Sequence, residues 1–312
     1  MNIPNASVNL GGIELDTPVL AASGPFGHGR EFEVLLDFSS LGGIIAKGVS
    51  LEPWPGNPPP RITETASGLL NAVGLHNPGM KKFVEDDLPL LRELGPKIIV
   101  NIIGKNVRDY ASVAAGLNGV EGISGLEVNV SCPNLKAGGL SFGTDPDLTY
   151  CVVAAVRRET ALPLLVKLTP NVNDIVAVAR AAEEAGADVI SLINTLSGMI
   201  IDIEKKKPFL GNRFGGLSGP AIMPVALRMV WQVSEAVQIP VLGMGGITSA
   251  SDAIQFILAG ARAVAVGSGL FYDPDLPAKI TEGILAYMSR HKVTSLSELE
   301  GLARTGGDKV EV

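Results

Sequence analysis

Eight times along this chain a short apolar run ends in a polar residue or a glycine and gives way to an amphipathic stretch. The runs cover 18–22, 43–46, 97–100, 125–128, 163–166, 188–192, 240–242 and 263–266. Helical periodicity follows at 30–38, 80–94, 107–117, 146–159, 172–185, 220–237, 250–259 and 275–291. Strand and helix therefore alternate. Near-continuous Val, Ile and Leu within the runs fit a parallel sheet buried on both faces. Eight such units predict an α/β fold of the (β/α)8 TIM-barrel type, which takes roughly 250 residues. The competing architecture is an open doubly wound sheet, but no Gly-x-Gly-x-x-Gly turn follows the first run. No domain boundary is visible, so residues 1–312 are expected to form one barrel domain. It would carry an N-terminal segment at 1–17, excursions at 49–79 and 196–217 over the C-terminal mouth, and a frayed tail at 305–312.

Charge and cysteine content narrow the function classes. The net charge is -7, and the only local basic run is Lys205-Lys206-Lys207, which reads as a solvated turn rather than a nucleic-acid patch. Cys132 and Cys151 are too few for a disulfide framework or for an iron–sulfur cluster with four cysteine ligands. Cys151 lies in an apolar helical pattern and reads as core. No apolar run approaches the roughly 18 residues of a membrane span, and the first residues lack a basic segment followed by an apolar one. A soluble cytoplasmic protein without membrane contact is expected. His28, His76 and His291 are scattered, so no metal site is assigned.

In such a barrel the site lies at the carboxyl ends of the strands. Those ends are Ser23, Lys47, Asn101, Asn129, Lys167, Asn194, Gly245-Gly246 and Gly267-Ser268. The last two loops are where barrels commonly bind phosphate, and glycine there lets backbone amides approach an anion. Gly219, just before the helix opened by Pro220, adds helix-end amides. A lysine at the end of a buried strand needs an anion, either a local carboxylate such as Glu127 or Asp202, or a ligand. Asparagines offer donors and acceptors suited to a planar, amide-rich ring. The run Leu126, Val128, Val130 delivers Asn129, Cys132 and Asn134 to a glycine-bearing loop, 135–144, able to close as a lid.

Three segments carry a family resemblance: Asn129-Val130-Ser131-Cys132-Pro133-Asn134, Asn71-Ala72-Val73-Gly74-Leu75 and Gly243-Met244-Gly245-Gly246-Ile247. Together they resemble the class 1 dihydroorotate dehydrogenases, over about residues 7–302. Phe214-Gly215-Gly216-Leu217-Ser218-Gly219-Pro220-Ala221-Ile222 is similar to the NAD-linked class 1B catalytic subunit. The resemblance implies FMN held at Ser23, Lys47, Gly48, Asn101, Asn129, Lys167, Ile193, Gly219, Gly245, Gly246, Gly267 and Ser268. It implies substrate contacts at Lys47, Asn71, Ala72, Val73, Gly74, Leu75, Asn129, Asn134, Asn194 and Thr195, with Asn71 and the backbone amides of Ala72 to Leu75 the expected donors to the substrate carboxylate. Cys132 matches the family's base, taking the C5 proton of dihydroorotate while the C6 hydride passes to FMN. The product would be orotate, in the synthesis of pyrimidine nucleotides. A partner electron-transfer subunit bearing FAD and a [2Fe-2S] cluster would relay electrons to NAD, two copies of each subunit forming a heterotetramer. Two other readings stay open: a flavin barrel acting on a different dihydropyrimidine, and a non-redox lyase using Lys167 as a Schiff base on a phosphorylated sugar.

Overall fold

The computed structural model describes residues 4–27, 29, 32, 34–131 and 142–306. Its centre is a closed barrel of eight parallel strands: β1 (Val19–Ala21), β2 (Gly43–Val49), β3 (Lys97–Ile102), β4 (Ile123–Asn129), β5 (Leu164–Lys167), β6 (Val189–Leu192), β7 (Val241–Met244) and β8 (Ala263–Val266). Each strand pairs with its neighbours in the chain, and β8 closes on β1. The strands are almost wholly buried because helices cover their outer face. The expected TIM barrel is thus the fold observed.

Local chemistry sets the helix ends. Asn106 and Asp145 accept hydrogen bonds from the amides of Asp109 and Leu148, so the helices Val107–Leu117 and Pro146–Glu159 begin where the sequence predicts. On the second of these, Thr149, Val152, Val153 and Val156 form the buried stripe. Cys151 falls on the opposite face and is exposed, which corrects its reading as core. The helix expected over 80–94 is interrupted by a π-helical turn at Phe83–Asp87. The helix expected over 30–38 is reduced, among its described residues, to a turn from Phe32 to Leu36. Asp37 then accepts the Ser39 amide and starts a 3-10 turn at Phe38–Ser40 instead of continuing the helix. The helix expected from 220 begins as a 3-10 turn, Pro220–Ile222, before Met223–Ala236. At the other end, a 3-10 turn at Leu302–Thr305 takes in the first residue of the expected frayed tail. Residues 307–312 of that tail lie outside the described residues.

A hairpin, Val8–Leu10 with Ile13–Leu15, packs under the N-terminal mouth. At Gly11 a β-carbon would stand 2.5 Å from a methyl of Val189 at the start of β6. Over the other mouth the two excursions combine. Ile62–Thr65 and Gly68–Asn71 form a hairpin, and Gly215–Ser218 pairs with Gly68–Asn71 and with Leu196–Gly198. The result is a four-stranded sheet above the strand ends. Lys205 and Lys206 lie in the exposed turn between two short strands, as expected, while Lys207 opens the second strand and pairs with Asp202. No helix among the described residues is long and apolar enough to cross a membrane.

Candidate active site

Strand alternation turns Leu126 and Val128 toward the helices and Glu127 and Asn129 toward the barrel axis. The register β3–β4 places Asn101 beside Glu127, and β4–β5 places Asn129 beside Lys167. Between Ala46 and Val49 the register of β2 shifts against β3, a bulge that carries Lys47 and Gly48. The inward polar groups form one directed chain of hydrogen bonds. The Asn194 amide donates to Ser131 Oγ, Ser131 Oγ donates to Asn129 Oδ1 at 2.5 Å, Asn129 Nδ2 donates to Asn101 Oδ1 at 3.3 Å, and Asn101 Nδ2 donates to Glu127 Oε2 at 2.6 Å. Ser191 Oγ donates to Glu127 Oε1 at 2.8 Å. The Tyr110 hydroxyl fixes the end of β4 from behind by donating to the Asn129 carbonyl at 2.8 Å.

Lys167 is 5 % exposed; its Nζ lies 3.9 Å from Glu127 Oε2 and 3.4 Å from Ser23 Oγ. Glu127 is therefore the local carboxylate. Asp202 pairs elsewhere: its carboxyl is held below the usual range by the Lys205 amide, then by the Lys205 ammonium, which lies at 3.0 Å. At 3.9 Å the Lys167–Glu127 contact is longer than the roughly 2.7–2.9 Å of a charge-assisted hydrogen bond, so the ammonium keeps donors for a ligand.

Ser23, Asn101, Asn129, Ser131, Lys167 and Asn194 line one cavity of about 1250 Å³. That exceeds the roughly 300–1,000 Å³ of a pocket for one small ligand, so a cofactor and a substrate fit side by side. Every residue expected to touch cofactor or substrate lines this cavity, except Asn134, which with Cys132 lies outside the described residues. The expected lid, 135–144, is described only at its last turn, Phe142–Thr144.

The loops after β7 and β8 fit a flavin phosphate. Gly246 has φ 78°, and a β-carbon there would stand 2.7 Å from the Gly219 carbonyl oxygen, so the β7 loop meets the chain at Gly219. At Gly267 the situation is the reverse: an added β-carbon would have no neighbour closer than Pro25 Cγ at 3.8 Å. That open space belongs to the cavity. Ser268 is buried, and neither its amide nor its hydroxyl donates to any group among the described residues. A buried donor without an acceptor is costly unless a ligand supplies one. The cradle fits an anion, and the asparagine chain with Lys167 fits a ring rich in amide edges.

Opposite, the sheet over the mouth brings Asn71 to Leu75 above the strand ends. Here one expectation is corrected. The Ala72 amide donates to the Arg61 carbonyl at 2.7 Å, because strand pairing in the hairpin consumes it, so it is not free for a substrate carboxylate. Asn71 Nδ2 donates to the Gly216 carbonyl at 3.2 Å, while Asn57 receives no such role in the sequence yet braces the loop through the carbonyls of Ala72 and Val73. Sequence reasoning also missed Ser131, Ser191 and Asn171, whose side chain accepts from the Ser197 amide at 2.9 Å and donates to the Thr195 carbonyl at 3.0 Å. Among the described residues no group of His, Cys, Asp and Glu is arranged to hold a metal.

A family model described as dihydroorotate dehydrogenase matches residues 5–288. The chain is 54% identical over 297 residues to the protein of Alkaliphilus metalliredigens named dihydroorotate dehydrogenase B (NAD(+)), catalytic subunit, covering 95% of this chain and 98% of that one. Proteins of the same name from Pelobacter propionicus and Desulforudis audaxviator are each 53% identical, over 298 and 302 residues, covering 96% of this chain and 98% of theirs.

Proposed function

The chain belongs to the dihydroorotate dehydrogenase family, and from that premise we propose that it is the catalytic subunit of an NAD-linked enzyme oxidising dihydroorotate to orotate in pyrimidine biosynthesis. The observation that carries the reading is the convergence of the strand-end side chains on one cavity with an anion cradle at one end and an asparagine chain along its wall. FMN, when bound, accepts the hydride that leaves C6 of the substrate. The amides of Gly246, Gly267 and Ser268, with Gly219 and Gly245, hold its phosphate. Ser23, Lys47, Gly48, Asn101, Lys167 and Ile193 hold its ring, and the ammonium of Lys167 balances negative charge there.

Asn129 and Asn194, fixed in the directed hydrogen-bond chain, present amide groups to the pyrimidine ring. The remaining donor of Asn71 and the amides of Val73 to Leu75 take the carboxylate, with Thr195, Asn134 and Lys47 completing the contacts. Cys132 removes the C5 proton; it directly follows Ser131, which lines the cavity. The chain has two cysteines and no dinucleotide turn, so electrons reach NAD through a partner subunit carrying FAD and a [2Fe-2S] cluster, in a heterotetramer with two copies of each. The test is orotate formation with an artificial dye acceptor. Dihydroorotate is expected to support turnover and dihydrouracil not; the reverse preference would overturn the assignment.

A further inference from the structure

Glu127 has no role in the proposed chemistry, yet it is wholly enclosed, with 0 % exposure, in contact with Asn101 and Lys167 of the cavity lining. A carboxylate only accepts hydrogen bonds. Asn101 must therefore turn its Nδ2 toward Glu127 and its Oδ1 toward Asn129; Asn129 must then receive Ser131 through Oδ1, and Ser131 must receive Asn194. One buried charge sets the direction of every bond in the chain. The same carboxylate faces Lys167 at 3.9 Å, and Ser191 holds its other oxygen from β6.

Resting on the flavin reading above, we propose that Glu127 is a positioning residue that acts through its charge. It orients the asparagine chain and offsets the charge of Lys167, so that the bound flavin stays a strong reductant. An uncompensated Lys167 would favour the reduced, anionic ring. The pair Lys167–Glu127 is neutral as a whole, and the ring gains less from it. A low potential suits an enzyme whose electrons must go on to a nicotinamide acceptor.

The test measures the potential of bound FMN by equilibration with reference dyes, in the wild type, Glu127→Gln and Ser191→Ala. Removing one charge this near Lys167 is expected to raise the reduced-to-oxidised ratio at fixed poise about 10- to 100-fold, an upward shift of about 30–60 mV for two electrons. Ser191→Ala removes a hydrogen bond and leaves the charge, so the potential is expected to stay near the wild-type value. An unchanged or lower potential in Glu127→Gln overturns the proposal, and so does an equal shift in Ser191→Ala, which would trace the effect to packing. Should Glu127→Gln fail to fold, Lys167→Gln is compared with the double variant Lys167→Gln/Glu127→Gln. Adding the second change is expected to raise the potential, and no difference overturns the proposal. A wild-type chain that binds no FMN sinks the flavin reading itself, a result distinct from a flavin that binds but ignores Glu127.

Discussion

Gly267→Ala separates the fold from the ligand. The added methyl group would have Pro25 Cγ at 3.8 Å and Ala22 Cβ at 4.0 Å as its nearest protein neighbours, both ordinary contacts, and the backbone there is not left-handed. The apo chain should therefore unfold within about 0.5 kcal/mol of the wild type. The methyl group instead enters the space that a phosphate or ribityl chain must use. Overpacking of that kind costs about 1–3 kcal/mol, which at about 1.4 kcal/mol per decade weakens FMN binding roughly 5- to 150-fold. Flavin fluorescence titration gives the affinity, and thermal unfolding without flavin gives the stability. Gly246→Ala makes the contrast: at φ 78°, with Met223 Cβ and the Gly219 oxygen both at 2.7 Å, it should lower both quantities. Wild-type FMN affinity in Gly267→Ala would refute the placement of the cofactor against the β8 loop.

Cys132→Ala should slow reduction of bound flavin by dihydroorotate by about 10²–10⁴-fold while FMN stays bound; full rate in stopped flow removes the thiol from the mechanism. In the wild type that half-reaction should quicken as pH rises toward the ordinary thiol range near about 8.5, since the thiolate is the base, and a flat profile argues against it. Asn71→Ala should weaken orotate binding about tenfold, read by titrating the flavin spectrum; unchanged affinity moves the carboxylate elsewhere. Asp145→Ala removes the cap of Pro146–Glu159 and should cost about 1 kcal/mol, a fall of roughly 2 °C in the unfolding midpoint. No change in that midpoint would mean the cap contributes nothing to the folded chain.

Much of the barrel was legible because its signals are local. Asn106 and Asp145 each cap the helix that begins at the next residue by accepting from the amide three residues downstream, and the apolar run of β8 stops where Gly267 begins. The polar strand ends were legible too, since one residue per strand suffices to mark the mouth. The rest depends on distant pairing. Nothing near Gly68–Asn71 announces that Gly215–Ser218 will lie beside it, so the two excursions read as irregular chain rather than one sheet. The hairpin of Ile62–Thr65 with Gly68–Asn71 consumes the Ala72 amide at the Arg61 carbonyl, which the irregular sequence there does not show. In the sequence Glu127 stands only as a candidate counter-charge for Lys167, although a charge in the middle of an apolar strand is a costly placement. Its partners Asn101 and Ser191 come from strands 26 and 64 residues away and appear only once the barrel closes. Cys151 shares its apolar helical stretch with the core, but the helix turns Thr149, Val152, Val153 and Val156 inward and leaves the thiol exposed.

The most direct test is a crystal structure of the chain grown with FMN and orotate. The phosphate should meet the amides of Gly246, Gly267 and Ser268, the ring should lie against Lys167 and Asn101, and the Cys132 sulfur should face C5 of the ligand. Flavin bound away from the strand ends, or a Cys132 sulfur turned from the ligand, would contradict the account.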